Sequence, residues 1–480
     1  MERQIRLISL VLGIGLLLLI VNVTVVQVFL ADDYRDRPGN QRVLLEEYDR
    51  ERGPILVGSE PIARSVETGD LLRYQRRYPQ GDAYAPITGY MSLIYGTTGL
   101  ERTENRVLTG QSSLFIVDRL QQLLAGRKPT GGAVTTTIDA DAQQAAVQGL
   151  AGLQGAVVAI EPATGRILAS AQSPSFDPNL LASHDLQKVR EYHDELTADP
   201  AEPLLNRPLV SLNPPGSTFK VITAAAALAS GDFTPDSVLP GPKTYTLPGT
   251  SVQLRNWNGQ ACGPKGMVTL RQAFAISCNT AFAWLGVELG DDALRRQAAL
   301  MGFDSAFQVP MRAATSRFPE DPDAPQTALS AIGQFDVRAT ALQMAMVAAT
   351  VGNKGVTMSP YLVQEIRGPD LAILQTTEPQ EFATAMSTEH AAQLTEMMVQ
   401  AVEQGTGSNA RIPGIAVAGK TGTAQTADDR PSVAWFIAFA PADAPQVAVA
   451  VAIEEAPTPE ISGNGLAAPI ARAVMEAVLG

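Results

Sequence analysis

The chain has 480 residues, 45% of them hydrophobic and 18% charged, so it is long and apolar enough for two or three domains with real cores. Its formal net charge of −13, with no basic stripe, argues against a nucleic-acid-binding surface, which needs clustered lysine and arginine. The three histidines and two cysteines show no metal-ligand spacing, so we expect no metal and no other cofactor.

The uncharged segment from Leu7 to Leu30 predicts a membrane anchor, because its length matches the ~20 residues that cross a bilayer core as a helix. Residues 1–6 contain two arginines and Asp32 and Asp33 follow the segment, so the positive-inside rule puts residues 1–6 in the cytoplasm and the remaining chain outside. The alternative is a cleaved signal peptide. Against it, the apolar run is long and Phe29 stands where a small residue is needed.

The next region, residues 31–150, offers no candidate pair of nucleophile and base. It contains Arg52-Gly53-Pro54-Ile55 and the glycine-punctuated Gly96–Glu101, which are typical of a spacer with modest strand and turn structure. Helical periodicity follows at Leu114–Leu124, and the turn signals of Pro129–Gly132 close the region. A linker is expected there.

Residues 151–480 are expected to form a compact catalytic domain. Five strands are predicted, at Ala156–Ile160, Ile167–Ser170, Ile415–Ala418, Val433–Phe439 and Val447–Ile453. Helices are predicted at Thr218–Ala229, Leu270–Ile276, Thr280–Leu289, Leu342–Ala349 and Ala468–Leu479. Strands from both ends of this region that meet in one sheet, with helices on its faces, give an α/β sandwich.

Ser217 and Lys220 are the first candidate catalytic pair. A lysine three residues after a serine lies on the same helical face and can act as the base that a serine nucleophile needs. Pro214-Pro215-Gly216 predicts that the helix begins at or just after Ser217, with its free N–H groups toward the reacting centre. Alternatively, Ser217 is only a helix cap and Lys220 a surface charge. The apolar run that follows favours a buried Lys220 with a lowered pKa.

Two further motifs strengthen this prediction. Ser277-Cys278-Asn279 places a hydroxyl and an amide between two helices, where they can relay a proton and orient a substrate; taken alone, the motif fits an ST-turn with an Asn279 helix cap better. Lys420-Thr421-Gly422-Thr423 offers a cation and hydroxyls for a carboxylate, with close backbone approach at Gly422, or merely a turn at a strand end. The three motifs in this order together indicate an acyl-transfer site.

With the preceding Pro215-Gly216, these motifs resemble those of the active-site serine penicillin-binding proteins. Gly155–Asn179 is similar to the start of their transpeptidase domain, and Asn206-Arg207 is a pair that the family often has. Arg52–Ile55 and Gly96–Glu101 resemble the pedestal of the class B, monofunctional enzymes, especially septal actinobacterial members.

The resemblance implies a domain order and a fold. Residues 31–150 would be a non-catalytic, dimerisation-like pedestal, after the anchor at 7–30, and residues 151–480 the transpeptidase domain. The transpeptidase fold would be that of penicillin-binding proteins and serine β-lactamases, a five-stranded antiparallel sheet with helices on both faces.

The resemblance also implies a role for each motif residue. Ser217 would attack the carbonyl between two D-alanines, Lys220 would take its proton, and Ser277 would pass that proton to the leaving D-alanine. Asn279 would orient the substrate and Lys220. The backbone N–H groups of Ser217 and Thr423 would form the oxyanion hole. The substrate carboxylate would be bound by Lys420, Thr421, Gly422 and Thr423.

The implied function is that of a serine-type D,D-transpeptidase of the D-Ala-D-Ala transpeptidase and carboxypeptidase class. It would cross-link peptidoglycan stem peptides ending in D-Ala-D-Ala during wall synthesis, septum formation and the maintenance of cell shape, and β-lactams would inhibit it covalently. No glycosyltransferase domain is expected, so a membrane glycan polymerase is the expected partner. A D,D-carboxypeptidase, a β-lactamase and a binding-only division scaffold are the alternatives.

Two local features, Phe335 and the pair of cysteines, leave questions that the sequence alone does not decide. Relatives often have glycine after Ile332-Gly333-Gln334, where this chain has Phe335, and we expect altered packing behind the site without loss of a catalytic group. Cys262 and Cys278 form either a disulfide that holds Ser277 or two buried thiols.

Overall fold

The computed structural model describes residues 2–30, 48–70, 72–116, 130–424, 432–458 and 462–480. The predicted helix at Leu114–Leu124 lies mostly outside these ranges, and a short 3₁₀ turn at Ser113–Phe115 is described at its start. Helix α1 (Glu2–Thr24) continues as a π-helical turn at Val25–Phe29. Between Arg3 and Val28 it is long and apolar enough to cross a membrane by length and composition.

The described residues between 48 and 136 form a unit built on short strands and helices. Its strands are β1 (Ile55–Val57), β2 (Glu60–Glu67), β3 (Tyr74–Arg77), β4 (Met91–Ser92), β5 (Gly96–Thr97) and β6 (Ala133–Thr136). Its helices are α2 (Ala85–Thr88), α3 (Gly99–Thr103) and α4 (Asn105–Leu108). We call this unit the pedestal.

The second unit begins with α5 (Ala140–Gly149) and carries the large sheet. Its first strands are β7 (Gln154–Ile160) and β8 (Ile167–Ser173), followed by helices α6 (Pro178–Leu181), α7 (Leu186–Ala198), α8 (Arg207–Val210) and α9 (Lys220–Ser230). Short strands β9 (Val238–Pro240), β10 (Thr244–Thr246), β11 (Gln253–Arg255) and β12 (Met267–Thr269) come next. Helices α10 (Leu270–Ala275), α11 (Asn279–Leu289), α12 (Asp291–Leu300), α13 (Ala324–Ser330) and α14 (Ala341–Gly352) complete the middle.

The last part of the chain closes the sheet. Strands β13 (Val356–Met358), β14 (Val363–Arg367), β15 (Ile373–Thr376) and β16 (Glu381–Thr384) precede helix α15 (Thr388–Glu403). Strands β17 (Ala418–Ala424), β18 (Val433–Ala440) and β19 (Val447–Glu455) and helix α16 (Ala468–Leu479) follow.

The large sheet has the order β17-β18-β19-β7-β8, and each neighbouring pair is antiparallel. One face packs on α14 and the other on α5 and α16, as two separate apolar clusters show. The predicted α/β fold, a five-stranded antiparallel sheet with helices on both faces, is confirmed. Residues from both ends of this part of the chain meet in the sheet because β19 pairs with β7 along its length.

The strand predicted at Ile415–Ala418 is displaced in the structure to Ala418–Ala424. Lys420 and Thr421 interrupt the apolar pattern, so periodicity alone ends the strand too early. Their side chains are buried all the same, because the strand is an edge of the sheet that packs on the turn at Gly216–Phe219. The Lys-Thr-Gly-Thr motif therefore lies within a strand and not at its end.

The two units share a sheet. The pedestal sheet has the order β15-β14-β6-β1-β2-β3, and its strands β14 and β15 come from residues 363–376. Asn179 adds a second contact, since its side chain bonds both the N–H and the C=O of Tyr78. Helix α5 packs on β8 and α16, which places residues 140–149 with the second unit.

A buried ion cluster lies inside the pedestal. Arg52 and Arg76 each contact one carboxylate oxygen of Glu101 through Nε at 2.6 Å, and all three side chains are buried. Burial alone would raise the pKa of Glu101, but the two guanidinium groups outweigh it and hold that pKa below its usual value. The cluster comes from the Arg52–Ile55 and Gly96–Glu101 segments that the sequence singled out.

Candidate active site

Ser217 lies in a one-turn 3₁₀ helix, Gly216–Phe219, that leads directly into α9. Gly216 has a φ of +54° and donates its N–H to Gly333 O at 2.9 Å. A Cβ at Gly333 would come within 2.1 Å of Gly216 O, so only glycine fits there. Trp435 donates its indole N–H to Pro214 O at 2.9 Å. The turn that carries Ser217 is thus fixed from both sides.

The side chain of Lys220 is fully buried and points to the loop between α10 and α11. Its Nζ lies 2.7 Å from Asn279 Oδ1, 2.9 Å from Ser277 O and 3.2 Å from Ser277 Oγ. Burial, and then the charge of Lys420, lower the pKa of Lys220 well below the ordinary lysine value. The hydroxyl of Ser217, one turn away, is not among the hydrogen-bond partners of this amine.

Ser277 stands between two lysines. Its Oγ accepts from Lys420 Nζ at 2.9 Å and from Lys220 Nζ at 3.2 Å, and the residue is buried. Its φ is +58°, a conformation that a non-glycine residue adopts at a cost of order 1 kcal/mol or more. The strained backbone is held by the same contacts that put the hydroxyl within reach of both amines.

Lys420 extends from β17 across the site. Its Nζ donates to Ser277 Oγ and, at 3.0 Å, to Thr421 O. Burial lowers the pKa of Lys420 to about 7. Neither Lys220 nor Lys420 forms an ion pair with a carboxylate in the described part of the chain. A neutral amine is therefore accessible near pH 7, as a general base requires.

Asn279 is the first residue of α11, and Cys278 stands at the cap position before it. The Asn279 side chain does not cap the helix. Its Oδ1 accepts from Lys220 and its Nδ2 donates to Arg255 O at 3.2 Å. The helix-cap interpretation of this asparagine is therefore not the arrangement in the structure.

The remaining motif residues follow the edge strand β17. A Cβ at Gly422 would lie 2.9 Å from Pro215 O, so glycine lets the strand approach the Ser217 turn. Thr423 is exposed, whereas Thr421 is buried and its hydroxyl lies 2.5 Å from that of Thr406. The structure thus brings Lys420 to Ser277 and Gly422 to the Ser217 turn, and it pairs the Thr421 hydroxyl with Thr406.

Cys262 and Cys278 form a disulfide in the structure, with Cα atoms 6.0 Å apart. The bridge joins the loop after β11 to the residue that follows Ser277. Of the two arrangements left open by the sequence, the structure has the bridged one.

Several residues that position the site carried no recognisable sequence signal. Trp435 fixes the Ser217 turn, and Thr406 bonds Thr421. Asn256 is buried, accepts from the N–H of Thr280 and donates to Pro242 O and Gln260 O. Each acts through tertiary contacts that no local spacing reveals.

The altered packing expected at Phe335 stays a prediction, and the residue is 43% exposed. Its φ is +61°, the left-handed region that glycine adopts most easily. This backbone conformation gives a physical reason for a glycine at the same place in relatives.

The serine turn, the two buried lysines around Ser277 and the edge strand on an antiparallel five-stranded sheet define a serine acyl-transferase of the penicillin-binding class. Two family comparisons agree with this geometry. The penicillin binding protein transpeptidase domain matches residues 155–476, and the penicillin binding protein A dimerisation domain matches residues 52–134. The chain belongs to the class B penicillin-binding proteins, as its motifs predicted.

Two mycobacterial relatives are similar to this chain over nearly their whole length. Peptidoglycan D,D-transpeptidase PbpA of Mycolicibacterium smegmatis is 46% identical, with 100% of this chain and 99% of that protein aligned. The protein of the same name from Mycobacterium tuberculosis is 47% identical with the same coverage. The structure of M. tuberculosis penicillin-binding protein A as a ceftriaxone acyl-enzyme complex superimposes with a TM-score of 0.89, at 46% identity over 91% of this chain and 100% of that chain.

Proposed function

We infer that the chain is a peptidoglycan D,D-transpeptidase that forms an acyl-enzyme at Ser217. The observation that carries this conclusion is that two buried lysines, Lys220 and Lys420, both contact Ser277 Oγ. Lys220 lies one helical turn from Ser217. Neither lysine has a carboxylate partner among the described residues that would keep it charged. The M. tuberculosis relative has been solved as acyl-enzyme complexes with ceftriaxone, imipenem and penicillin G, which supports acylation by β-lactams here.

The first step transfers the donor acyl group to the enzyme. Ser217 Oγ attacks the carbonyl between the two D-alanines and its proton passes to neutral Lys220. When Lys220 is neutral, its two N–H bonds satisfy Ser277 O and Asn279 Oδ1, and its contact with Ser277 Oγ is given up so that the lone pair can accept the Ser217 proton. When the tetrahedral intermediate collapses, the C–N bond breaks and the proton reaches the leaving amine through Ser277.

Charge that develops on the carbonyl oxygen needs donors already in place. We assign these to the backbone N–H groups of Ser217 and Thr423, which Gly422 allows to approach each other. The C-terminal carboxylate of the donor would lie against Lys420 and the exposed Thr423. In this assignment Thr421 contributes through the backbone, because its hydroxyl bonds Thr406.

The second step decides between transfer and hydrolysis. An amine of another stem peptide attacks the ester at Ser217 and gives a proton to Lys220. The bond between the acyl carbon and Ser217 Oγ then breaks, and Lys220 returns the proton to Ser217 Oγ. Water in the same place would make the enzyme a D,D-carboxypeptidase. Within the described site neither carboxylate nor histidine contacts Lys220 or Ser277 as a separate water-activating base, which favours the amine.

The cellular setting is part of the proposal. Helix α1 would anchor the protein as a single-pass membrane protein with its N-terminus in the cytoplasm and Ser217 outside. We propose residues 31–150 as pedestal and 151–480 as transpeptidase domain, with the boundary adjusted for α5. The family matches cover no glycosyltransferase domain, so a membrane glycan polymerase would supply the strands.

The test uses the full chain in detergent. Wild type should bind a fluorescent penicillin covalently, and Ser217→Ala should lose the label while its thermal unfolding is unchanged. With a D-alanyl thioester donor and a D-amino acid acceptor, the wild type should form the amide product. Undiminished labelling of Ser217→Ala would refute the nucleophile, and hydrolysis alone would assign the enzyme as a carboxypeptidase.

A further inference from the structure

Trp257 is an exposed tryptophan beside the active site. It is 73% exposed, the highest exposure of any large hydrophobic residue in the described chain. An indole ring that stays exposed to water does not gain the stabilisation that burial would give it. A ring that is nevertheless held in a fixed position indicates that a ligand binds there. The other two tryptophans have protein partners: Trp435 is buried and Trp284 packs on Phe233.

The loop that presents Trp257 is anchored to the catalytic loop. Its indole N–H donates to Ile276 O at 3.4 Å, one residue before Ser277. On one side Arg255 O accepts from Asn279 Nδ2 at 3.2 Å. On the other side Cys262 is joined to Cys278. The ring therefore keeps a fixed position relative to the lysine pair.

Asn256, the neighbour of Trp257, adds a buried brace. Its Nδ2 bonds Gln260 O at 2.8 Å within the loop and Pro242 O at 3.0 Å outside it. Its Oδ1 accepts from the N–H of Thr280, in the first turn of α11, at 3.1 Å. These buried hydrogen bonds hold the loop in place, which limits the entropy lost when a ligand binds.

The direction of the donor peptide in the proposed mechanism identifies the ligand. Its terminal carboxylate lies at Lys420 and Thr423, and its reacting carbonyl lies at Ser217. Because Asn279 orients the donor in this mechanism, the residues upstream of the D-alanine pair would leave the cleft beside Asn279. Asn279 donates to Arg255 O, and Trp257 follows two residues after Arg255. A side chain in that stretch of the donor would then lie against the indole.

We propose that Trp257 forms a subsite for an aliphatic side chain of the acyl donor, immediately upstream of its D-Ala-D-Ala pair. The inference rests on the proposed transpeptidase function and adds a specificity determinant to it. An aliphatic chain against an aromatic face buries apolar surface on both partners, and one extra hydrocarbon segment in such a pocket changes acylation rates about tenfold or more.

The test compares two donors that differ only at this position, the thioesters of N-acetyl-norleucyl-D-alanine and N-acetyl-glycyl-D-alanine. Wild-type full chain in detergent should be acylated about tenfold faster by the norleucyl donor. Trp257→Ala should remove that preference and leave the glycyl donor within about twofold, and Trp257→Phe should retain most of it. Trp284→Phe, at a tryptophan away from the site, should behave as wild type.

Two results would overturn the subsite. One is an unchanged preference in Trp257→Ala, and the other is an equal loss with both donors, which would assign Trp257 a purely structural role in the loop. Binding of N-acetyl-norleucyl-D-alanyl-D-alanine to Ser217→Ala, followed by quenching of indole fluorescence, gives a readout without chemistry. A combined result separates the two proposals. If neither donor acylates the wild type, the transpeptidase assignment fails. If the quenching nevertheless occurs and is lost in Trp257→Phe, the subsite is supported.

Discussion

The pedestal and the active site each bury two cations around one oxygen-bearing side chain, with opposite consequences. In the pedestal, Arg52 and Arg76 share the carboxylate of Glu101, and every charge has a partner. In the active site, Lys220 and Lys420 share only the neutral hydroxyl of Ser277, and burial lowers the pKa of both lysines. The buried ion pairs of the pedestal stabilise its fold, whereas the buried lysines of the active site, which have no counter-ion, lose their protons more easily and can act as bases.

The largest effect should come from Lys220. Lys220→Met should slow labelling by fluorescent penicillin about 1,000-fold, because the base is lost. Its free energy of unfolding should stay equal or increase, because a buried amine without a carboxylate is replaced by an apolar chain. Rapid-quench labelling and denaturant unfolding measure the two quantities. Lys188→Met, at an exposed lysine, is the matched control, and a strong loss of stability in Lys220→Met would break the comparison.

The reverse result is expected in the pedestal. Glu101→Gln leaves two buried guanidinium groups without their counter-ion and should lower the free energy of unfolding by about 3 kcal/mol. The folded fraction should still be labelled at the wild-type rate. Glu67→Gln, in an exposed pair with Arg73, should change stability by less than about 0.5 kcal/mol. Equal unfolding midpoints for the two variants would contradict the structural role of Glu101.

The two clusters should also differ in how stability depends on pH. Lys420 has a folded pKa of about 7, below the ordinary 10.5, so the unfolded state binds more protons between these values and stability should rise with pH in that window. The slope for one proton is at most about 1.4 kcal/mol per pH unit. In denaturant titrations from pH 7 to 10, Lys420→Met should reduce the slope by the part that Lys420 contributes and leave the part that comes from Lys220, whose pKa is also lowered.

Glu101 behaves in the opposite sense. Its folded pKa is below the ordinary value, so its contribution is complete above that value and is lost as the pH falls through the folded pKa. Lys420→Met should therefore leave acid unfolding unchanged. A slope as steep in Lys420→Met as in the wild type would show that Lys420 is charged in the folded protein at neutral pH.

The smallest effect concerns the two positive-φ residues near the site. Ser277 uses its conformation to place a hydroxyl, whereas the exposed ring of Phe335 gains little from the same backbone region. Phe335→Gly should raise the free energy of unfolding by up to about 1 kcal/mol, the left-handed penalty less the greater chain entropy of glycine. Thermal unfolding measures it, and a lower melting temperature would show that the ring has a packing role.

Sequence alone predicted the sheet and most core helices, because Val433–Ala440 and Val447–Glu455 are long apolar runs with clear ends. It displaced the strand that carries Lys420, whose polar residues break the pattern although they are buried. For the site, spacing identified Ser217 and Lys220, but the contacts of Thr406, Asn256 and Trp435 join segments far apart in the chain. Such contacts depend on the tertiary fold and leave no local signature.

The sharing of one sheet by two units sets the order in which they can be completed. Strand β6 of the pedestal pairs with β14, and next to that pair Thr137 bonds Tyr361 O across 224 residues of sequence. During synthesis the pedestal therefore exposes an open sheet edge until β14 emerges, by which time Ser217, Ser277 and their helices have already been made. A chain that stopped before residue 363 would leave that edge free to pair with another molecule.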